Sequence, residues 1–430
     1  MNTNDVFAVR VKGPERSQME WRPASLDQMI PAVHPVRSVW LYVEGLDLSP
    51  LYQGIKAVEG HVGRDAVDPK ILMALWLWAT LEGIPSARQL ARLCERDWAY
   101  QWICGGVGVN YHLLSDFRTG HGEFLDQLLT NMIATLLHRQ IVTLETVAQD
   151  GMRVRAHAGS HSFRREPTLQ ACRQQAAAYV QKLREENEDD EATGSGTARQ
   201  KAARERAARE HLERVEDALK DLKELEQQKE ARKKGSGERA RCSTTDPQAR
   251  TMKMANGGFS PAYNVQFATD AGSRLIVSVD VSNNGSDGGQ MAPRHEDIQK
   301  RYGRYPKNYL VDGGFSTKKD ITTVERRGTH VFAPILQEEF IRARGNDPHA
   351  RYPGDSDEMF AFRQRMATDE AKSQYKQRCS VAEYPNAVCR NRGLHQFLVR
   401  GIKKVRTIAL WHALTFNLTR MMTLDCLKPA

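Results

Sequence analysis

Apolar and polar positions follow a helical period over the first third of the chain. Lys70–Glu82 is an almost unbroken apolar run, with the cap and first-turn pair Asp68-Pro69 before it and the breaker Gly83-Ile84-Pro85 after it. Other predicted helical segments are Val36–Leu46, Ala87–Glu95, a segment from Asp97, Asn110–Arg118 and Phe124–Leu137. Short helices joined by tight turns are typical of helix-turn-helix DNA-binding domains, and equally of a helical bundle without DNA contacts.

The period changes at Ile141, where β-branched residues become frequent. The pattern predicts a strand over Ile141–Asp150, which Val154–Ala158 could extend. Further predicted strands are Ala262–Asp270, Leu275–Val281, Tyr309–Val311 and His330–Ile335, and further predicted helices are Gln290–Tyr302, Thr317–Arg327, most of Met359–Gln396 and Phe397–Met422. Strands that alternate with helices in this order predict a layered α/β domain.

A charged segment at about residues 167–234 interrupts this domain. It is rich in Arg, Lys, Glu, Gln and Ala, and Leu212, Val215, Leu219 and Leu222 follow the spacing of a heptad seam. The polar stretch Asn187–Gly196 divides it. An antiparallel coiled-coil hairpin is predicted; a solvated, partly disordered linker is the alternative.

Composition restricts the partners and the compartment. The chain has 430 residues and a net charge of +9, so a polyanion is a reasonable partner, although many basic proteins bind no nucleic acid. The seven scattered cysteines have no metal-binding spacing and favour a reducing compartment. Met1–Arg10 does not have the pattern of a signal peptide, and the apolar run Ile71–Leu81 is too short to cross a bilayer. The prediction is a cytoplasmic protein without membrane partners.

Two aspartates stand where predicted apolar strands stop. Asp150 and Asp312 are each followed by glycine, which lets the backbone turn and leaves a carboxylate at the edge of a sheet. Glu383 lies in the predicted helical stretch Tyr375–Arg392. Metal-assisted phosphoryl transfer needs carboxylates that converge from rigid elements. Taken singly, each aspartate could be a turn or helix cap, and Glu383 an ordinary surface residue.

Several sequence words together resemble the DDE-type insertion-sequence transposases. They are Gln149–Ala156, Ser243–Pro247, Pro261–Gln266, Val311–Phe315 and the tail from Arg390–Leu394 to Arg400-Gly401, while Asp68–Arg118 looks like the helical N-terminal domain of the same enzymes. The resemblance covers about residues 20–422, and the combination of motifs is specific.

This resemblance implies an RNase H-like mixed-sheet catalytic core. The first Asp would lie on the first strand, the second after the fourth strand and the Glu on a later helix, which correspond to Asp150, Asp312 and Glu383. It implies two Mg²⁺ or Mn²⁺ ions per active site, bound by these three residues. The substrates would be the terminal inverted repeats of an element and target DNA, bound by a dimer or larger assembly associated with the nucleoid.

The expected organisation is an all-α DNA-binding region over residues 1–140 and a catalytic region over residues 141–430 that carries the insert. Predicted DNA contacts are Arg88, Arg92, Arg118, Arg153, Arg155, Arg378, Arg390 and Arg392. For Arg153 and Arg155, an exposed basic loop without DNA contact is the simpler alternative.

The third carboxylate has a second candidate. The family often shows a Tyr, Arg, Glu, Lys signature there, matched here by Tyr375, Arg378, Glu383 and Arg390, with Arg in place of Lys. Because Tyr384-Pro385 follows Glu383, the helix is expected to be kinked or to start at this point. Glu370 is therefore the alternative.

Two other functions are compatible with these features. One is a two-metal nuclease or resolvase on the same fold, which would cut DNA without joining it. The other is a DNA-binding descendant of a transposase without catalytic activity. The presence of all three carboxylates argues against the second.

Overall fold

The computed structural model describes residues 25–55, 57, 65–189 and 198–426. The interpretations of Met1–Arg10 and of residues 190–196 in the polar break fall outside the described residues. The N-terminal region is helical, as predicted. Its helices are α1 (Leu26–Met29), α2 (Pro35–Glu44), α3 (Ser49–Tyr52), α4 (Pro69–Leu81), α5 (Ala87–Arg96), α6 (Trp98–Cys104), α7 (Tyr111–Gly120) and α8 (Gly122–His138).

Polar caps fix where these helices begin. The side chains of Asp68, Ser86, Asp97 and Asn110 each accept a hydrogen bond from a backbone N–H in the first turn of α4, α5, α6 and α7, respectively. Such caps satisfy N–H groups that have no partner inside the helix. The helix starts predicted at these four residues are therefore confirmed.

The remaining chain forms the mixed α/β part. Its elements, in chain order, are β1 (Thr146–Arg155), β2 (Phe163–Arg164), α9 (Glu166–Asp189), α10 (Ala198–Arg232), β3 (Cys242–Ser243), β4 (Arg250–Lys253), β5 (Phe259–Asp270), β6 (Ile276–Ser282), α11 (Met291–Tyr302), β7 (Asn308–Leu310), α12 (Lys318–Glu325), β8 (His330–Phe332), α13 (Glu338–Ala343), α14 (Asp357–Ala367), α15 (Asp369–Arg378), α16 (Tyr384–Asn391) and α17 (Ile402–Thr423).

Six of these strands make one mixed sheet. β5 pairs antiparallel with β1 on one edge, and with β6 and β4 on the other. β7 pairs parallel with β1, and β8 pairs parallel with β7. The main strand order is therefore β6, β5, β1, β7, β8, with the second aspartate just after the fourth of these strands in the chain. This confirms the predicted RNase H-like α/β core.

The first strand differs from its predicted bounds. β1 begins at Thr146 rather than at Ile141 and continues past Asp150 to Arg155. Gln140 and Leu144 have φ of 58° and 54°, which interrupts extended backbone before Thr146. Pairing with β5 continues to the end of β1, so Asp150-Gly151 is not a turn. The prediction that Asp150 ends the strand was therefore wrong.

The described residues of the charged insert form mainly two helices rather than a disordered linker. α9 and α10 run antiparallel, because Leu169 near the start of α9 clusters with Leu222, and Val180 further along clusters with Ala208. The predicted seam residue Val215 is fully buried. Both clusters are small and separate from the main core, and the one near the base includes Cys242 of β3.

Helix α17 joins the helical region to the sheet. It packs on α4, α7 and α8 as well as on β5 and β6, and the main cluster of buried apolar residues includes residues of both parts. Asn417 anchors it by accepting from Ile276 N and donating to Ile276 O, both at 2.8 Å. The helix predicted from Phe397 begins at Ile402. No described helix is both long and apolar enough to span a membrane.

Candidate active site

Asp150 and Asp312 meet at one end of the sheet. β7 pairs in parallel with β1 only as far as Ala148, which lies opposite Leu310. Asp150 and Asp312 each stand two residues beyond this pair. Because side chains alternate along a strand, residues two positions on return to the same face. Both carboxylates therefore lie on one face, beyond the carboxyl end of the parallel pair.

One arginine contacts all three predicted carboxylates. Arg378 Nη2 lies 3.0 Å from Asp150 Oδ1 and 3.7 Å from Asp312 Oδ2, while its Nη1 lies 3.4 Å from Glu383 Oε1. The Arg378 side chain is only 9% exposed. A buried guanidinium is stabilised by such negative charges. The structure thus brings Asp150, Asp312 and Glu383 together around one cation.

Asp150 is the most enclosed of the three acids. Its second oxygen, Oδ2, accepts a hydrogen bond of 2.9 Å from Asn386 Nδ2. Burial raises the pKa of Asp150 to about 6, while Arg378 opposes the shift and Asp312 adds to it. Charge on Asp150 is therefore costly unless a cation lies beside it.

The other two acids are open to solvent. The side chains of Asp312 and Glu383 are 38% and 58% exposed. Asp312 is fixed by its own loop, because its Oδ1 accepts a hydrogen bond of 2.8 Å from Gly314 N. One largely enclosed and two accessible carboxylates leave one side of the cluster open to a substrate.

A π-helical turn places Arg378, Glu383 and Asn386 on one side of the helix. Residues Cys379–Glu383 form this turn between α15 and α16. In an α-helix, residues five apart lie about 140° apart around the axis. A π-turn instead bonds residue i to residue i+5 and thereby brings them to the same side. The irregularity expected before Tyr384-Pro385 is therefore present, as a π-turn in a continuous helical path.

Asp287 supports the strand next to Asp150, and sequence reasoning missed it. Its Oδ1 accepts hydrogen bonds from Asn264 Nδ2 at 2.7 Å and Gln266 Nε2 at 2.9 Å, while its Oδ2 pairs with Arg153 Nη2 at 3.1 Å. Gly151 lies against this cluster, with no room for a side chain. Its sequence context, Gly285-Ser286-Asp287-Gly288, looks like an ordinary loop.

Glu370 is not part of this arrangement. It is exposed in the first turn of α15, and no described contact joins it to Asp150, Asp312 or Arg378. The geometry favours Glu383 as the third acid. Among the residues that the structure describes, no three His, Cys, Asp or Glu side chains are arranged to hold a metal ion, since Arg378 lies among the acids.

The predicted DNA-contacting arginines fall in different environments. Arg88, Arg92, Arg155 and Arg390 are exposed. Arg153 is tied to Asp287, as described above. Arg392 is half-buried, and burial lowers its pKa.

Arg118 is the most deeply buried of the predicted DNA-contacting arginines. Arg118 is only 6% exposed. Its guanidinium lies over the ring of Trp76 and donates a hydrogen bond to Pro85 O. Burial lowers its pKa to about 10. These contacts give Arg118 a structural role within the helical region, and a contact of Arg118 with DNA stays a prediction. The sequence showed a cation on a short helix but not which side faced the core.

Comparison with known protein families gives two matches in one chain. Residues 24–120 match a family described as a transposase domain (DUF772), and residues 238–418 match a family described as a transposase DDE domain. The second match includes Asp312 and Glu383 and begins after the helical insert. No curated protein and no solved structure matches the chain.

Proposed function

The chain belongs to the DDE-type insertion-sequence transposases, and on this basis we propose that it cuts DNA at the inverted-repeat ends of an element and joins those ends to target DNA. The observation that carries the proposal is the convergence of Asp150, Asp312 and Glu383 on Arg378, just beyond the point where the parallel pairing of β1 with β7 stops. Water would be the first nucleophile and a DNA 3′-hydroxyl the second.

The three acids have the chemistry of a divalent-cation site. Mg²⁺ and Mn²⁺ prefer carboxylate oxygens, and burial makes charge on Asp150 unfavourable without a nearby cation. Asp150, Asp312 and Glu383 would hold two such ions. Bound ions would stabilise the charge on the attacking and leaving oxygens of the phosphodiester.

The protein's own residues organise the site around this charge. Asn386 and Arg378 each bond one oxygen of Asp150, which fixes the orientation of that carboxylate. Arg378 carries a planar fork of donors that suits phosphate as well as carboxylate. In the proposal, Arg378 exchanges part of its contact with the acids for contact with the scissile phosphate.

The wider assembly follows from the same function. Residues 1–140 would contribute to recognition of the element ends through exposed cations such as Arg88 and Arg92, and residues 141–430 would perform the chemistry. Two ends must be joined together, so we propose that a dimer or larger assembly forms on double-stranded DNA, at the nucleoid. The helical insert would be an accessory to the catalytic sheet.

The deciding experiment uses DNA from either side of the coding region. Duplexes that carry imperfect inverted repeats from those flanks are labelled and incubated with the full chain, a plasmid target and Mg²⁺ or Mn²⁺. The expected result is cleavage at the repeat ends, followed by joining of their 3′-hydroxyls to the plasmid.

The two alternatives predict other products. A two-metal nuclease or resolvase would cut the labelled duplex but leave the plasmid unjoined, even when pre-cut 3′-hydroxyl ends are supplied. A descendant without catalysis would bind the duplex and leave it intact. Either outcome would replace the proposed function.

A further inference from the structure

A second polar groove lies beside the helical insert. It has a volume of about 910 Å³ and is bounded by α10 on one side and by β4, the start of β5 and the loop after β6 on the other. We refer to this space as the hairpin groove. It does not include Asp150, Asp312 or Glu383.

The hairpin groove opens at the same end of the sheet as the three acids. β5 runs antiparallel to β1, so its first residues lie beyond Arg155, at the carboxyl end of β1. β6 runs in the same direction as β1 and ends at Ser282, and Asn283–Ser286 then line the groove. Arg153, three residues after Asp150, donates to Gly285 O in this loop at 3.1 Å. The side chain of Arg153 points to the opposite face of β1 from Asp150, but the same loop continues to Asp287, which lies against Gly314 next to Asp312. A chain-like ligand that follows this loop would therefore reach the acids.

Positive charge dominates the groove. Four cations line the groove, and only two carboxylates do. The cations are Lys229, Arg239, Arg241 and Arg250. One of the carboxylates, Asp221, lies 3.6 Å from Arg250. No described carboxylate lies within ion-pair distance of Lys229, Arg239 or Arg241.

These cations also crowd one another. Burial lowers the pKa of Lys229, and Arg241 and Arg250 lower it further. Like charges held close together without compensation favour the binding of an anion.

An exposed aromatic ring indicates what kind of anion the hairpin groove would bind. Phe259 lines the groove, is 69% exposed and follows the tight turn Asn256-Gly257-Gly258. Its ring is therefore accessible to a ligand in the groove. A phenyl ring next to unpaired cations suits a ligand with both phosphates and flat bases, because bases stack on aromatic rings. A free phosphate would use only the cations.

We propose that the hairpin groove binds a DNA strand that continues toward Asp150, with Lys229, Arg239 and Arg241 on its phosphates and Phe259 against a base. This proposal rests on the proposed function only in taking DNA as the ligand. It gives the insert a role, since α10 forms one wall of the groove.

The test is a binding measurement on the full chain without catalysis. Fluorescence anisotropy with a labelled 30-nucleotide DNA of arbitrary sequence, single-stranded and as a duplex, is recorded at several salt concentrations without divalent metal. The groove variant is Arg239→Gln with Arg241→Gln. The matched control is Lys300→Gln with Arg304→Gln, two exposed cations near the start of β7, at the opposite end of the sheet.

The groove variant should bind about tenfold more weakly. Its salt slope should fall by about 1.8 on the duplex and by about 1.4 on the single strand, because each lost phosphate contact removes about 0.9 or about 0.7, respectively. The control should match wild type. Phe259→Ala should weaken single-strand binding about tenfold with an unchanged slope, because stacking releases no counterions. If the groove variant keeps the wild-type affinity and slope, or if the control loses as much, the groove is not the binding site. If wild type binds neither DNA, the proposed function itself fails.

Discussion

Gly151 lies against the Asp287 carboxylate so closely that a Cβ atom on residue 151 would overlap Asp287 Oδ1. Asn264 and Gln266 hold that oxygen in place from β5. Since Asp150 precedes Gly151, the position of one catalytic candidate depends on an acid from a distant loop.

Gly151→Ala should therefore displace β1 at Asp150. We expect cleavage of a terminal-repeat duplex to fall at least about 100-fold, because small misplacements of catalytic groups have effects of this size. Gly120→Ala is the matched control, since a Cβ there meets no atom within 4 Å. Cleavage rates and unfolding midpoints of both variants are the measurement. Equal rates for Gly151→Ala and wild type would contradict the role given to this contact.

Replacement of each acid by its amide tests the metal site. Asp150→Asn, Asp312→Asn and Glu383→Gln nearly preserve shape but remove the charge that two cations require, so cleavage should fall by several orders of magnitude while DNA binding survives. Glu370→Gln is the control and should cleave normally. Rates are measured on a labelled terminal-repeat duplex with Mg²⁺ or Mn²⁺. If Asp312→Asn cleaves at the wild-type rate, the DDE assignment is refuted. If Glu370→Gln loses cleavage and Glu383→Gln does not, Glu370 replaces Glu383 as the third acid and the rest of the assignment stands.

Deletion of one exposed residue tests the π-turn. Without Ser380, the turn can close as an α-helix in which Arg378 and Glu383 stand four apart, a spacing that keeps them on one side. We expect cleavage within about tenfold of wild type. Deletion of the exposed Ala387 in regular α16 should instead turn the buried Cys389 out of the core and abolish folding. If both deletions inactivate the protein equally, the π-turn does not absorb the extra residue.

The helical insert should divide into a dispensable tip and a structural base. Replacing residues 176–212 with a short Gly/Ser linker removes the cluster of Val180 and Ala208 but keeps Leu169 and Leu222 beside Cys242. This variant should unfold cooperatively near the wild-type midpoint. Replacing Gln170–Lys233 also uncovers Cys242 and should lower the midpoint. Denaturant titration of both variants measures their unfolding midpoints. If replacement of residues 176–212 abolishes cooperative unfolding, this outer part of the insert is structural. If that variant instead oligomerises less with an intact core, the outer part contacts another protomer.

His295 should make folding sensitive to acid. It stacks on Tyr305, bonds Thr329 Oγ1 at 2.7 Å, and burial, with Arg327, lowers its pKa to about 3. Between that value and the ordinary pKa near 6.5, only the unfolded chain takes up the proton. Its contribution to stability is therefore complete above about pH 6.5 and lost as the pH falls, by about 2 kcal/mol at pH 5. His295→Gln should lose correspondingly less stability between pH 7 and pH 5 in urea titrations. An identical loss in both proteins would contradict this assignment.

Sequence patterns correctly predicted those structural features that depend only on neighbouring residues. Asp68, Ser86, Asp97 and Asn110 marked helix starts because capping depends on the next three residues. The aspartates at 150 and 312 became candidates because each was predicted to end a strand and precedes glycine, and the family resemblance then singled them out. Asp150 nevertheless lies inside β1 and not at its end. The strand continues because its pairing with β5 continues, and a local pattern around Asp150 does not contain that information.

The rest of the site depends on contacts across the chain. Arg378 and Asn386 reach Asp150 over separations of 228 and 236 residues, and Asp287 reaches Arg153 from another loop. Periodicity cannot report which distant side chains meet. The three-residue spacing of Glu383 and Asn386 was a usable sign that both share one helix side.

The position of α17 has a consequence for biosynthesis. Its fully buried residues, Trp411 and Leu414 among them, fill the space between the early helices and the sheet. A nascent chain cannot close this space until Ile402–Thr423 has left the ribosome. Until then the apolar surfaces of α4, α8 and β6 remain open to chaperones or to aggregation. A message truncated before α17 should therefore yield a chain removed by proteolysis, not a free DNA-binding fragment.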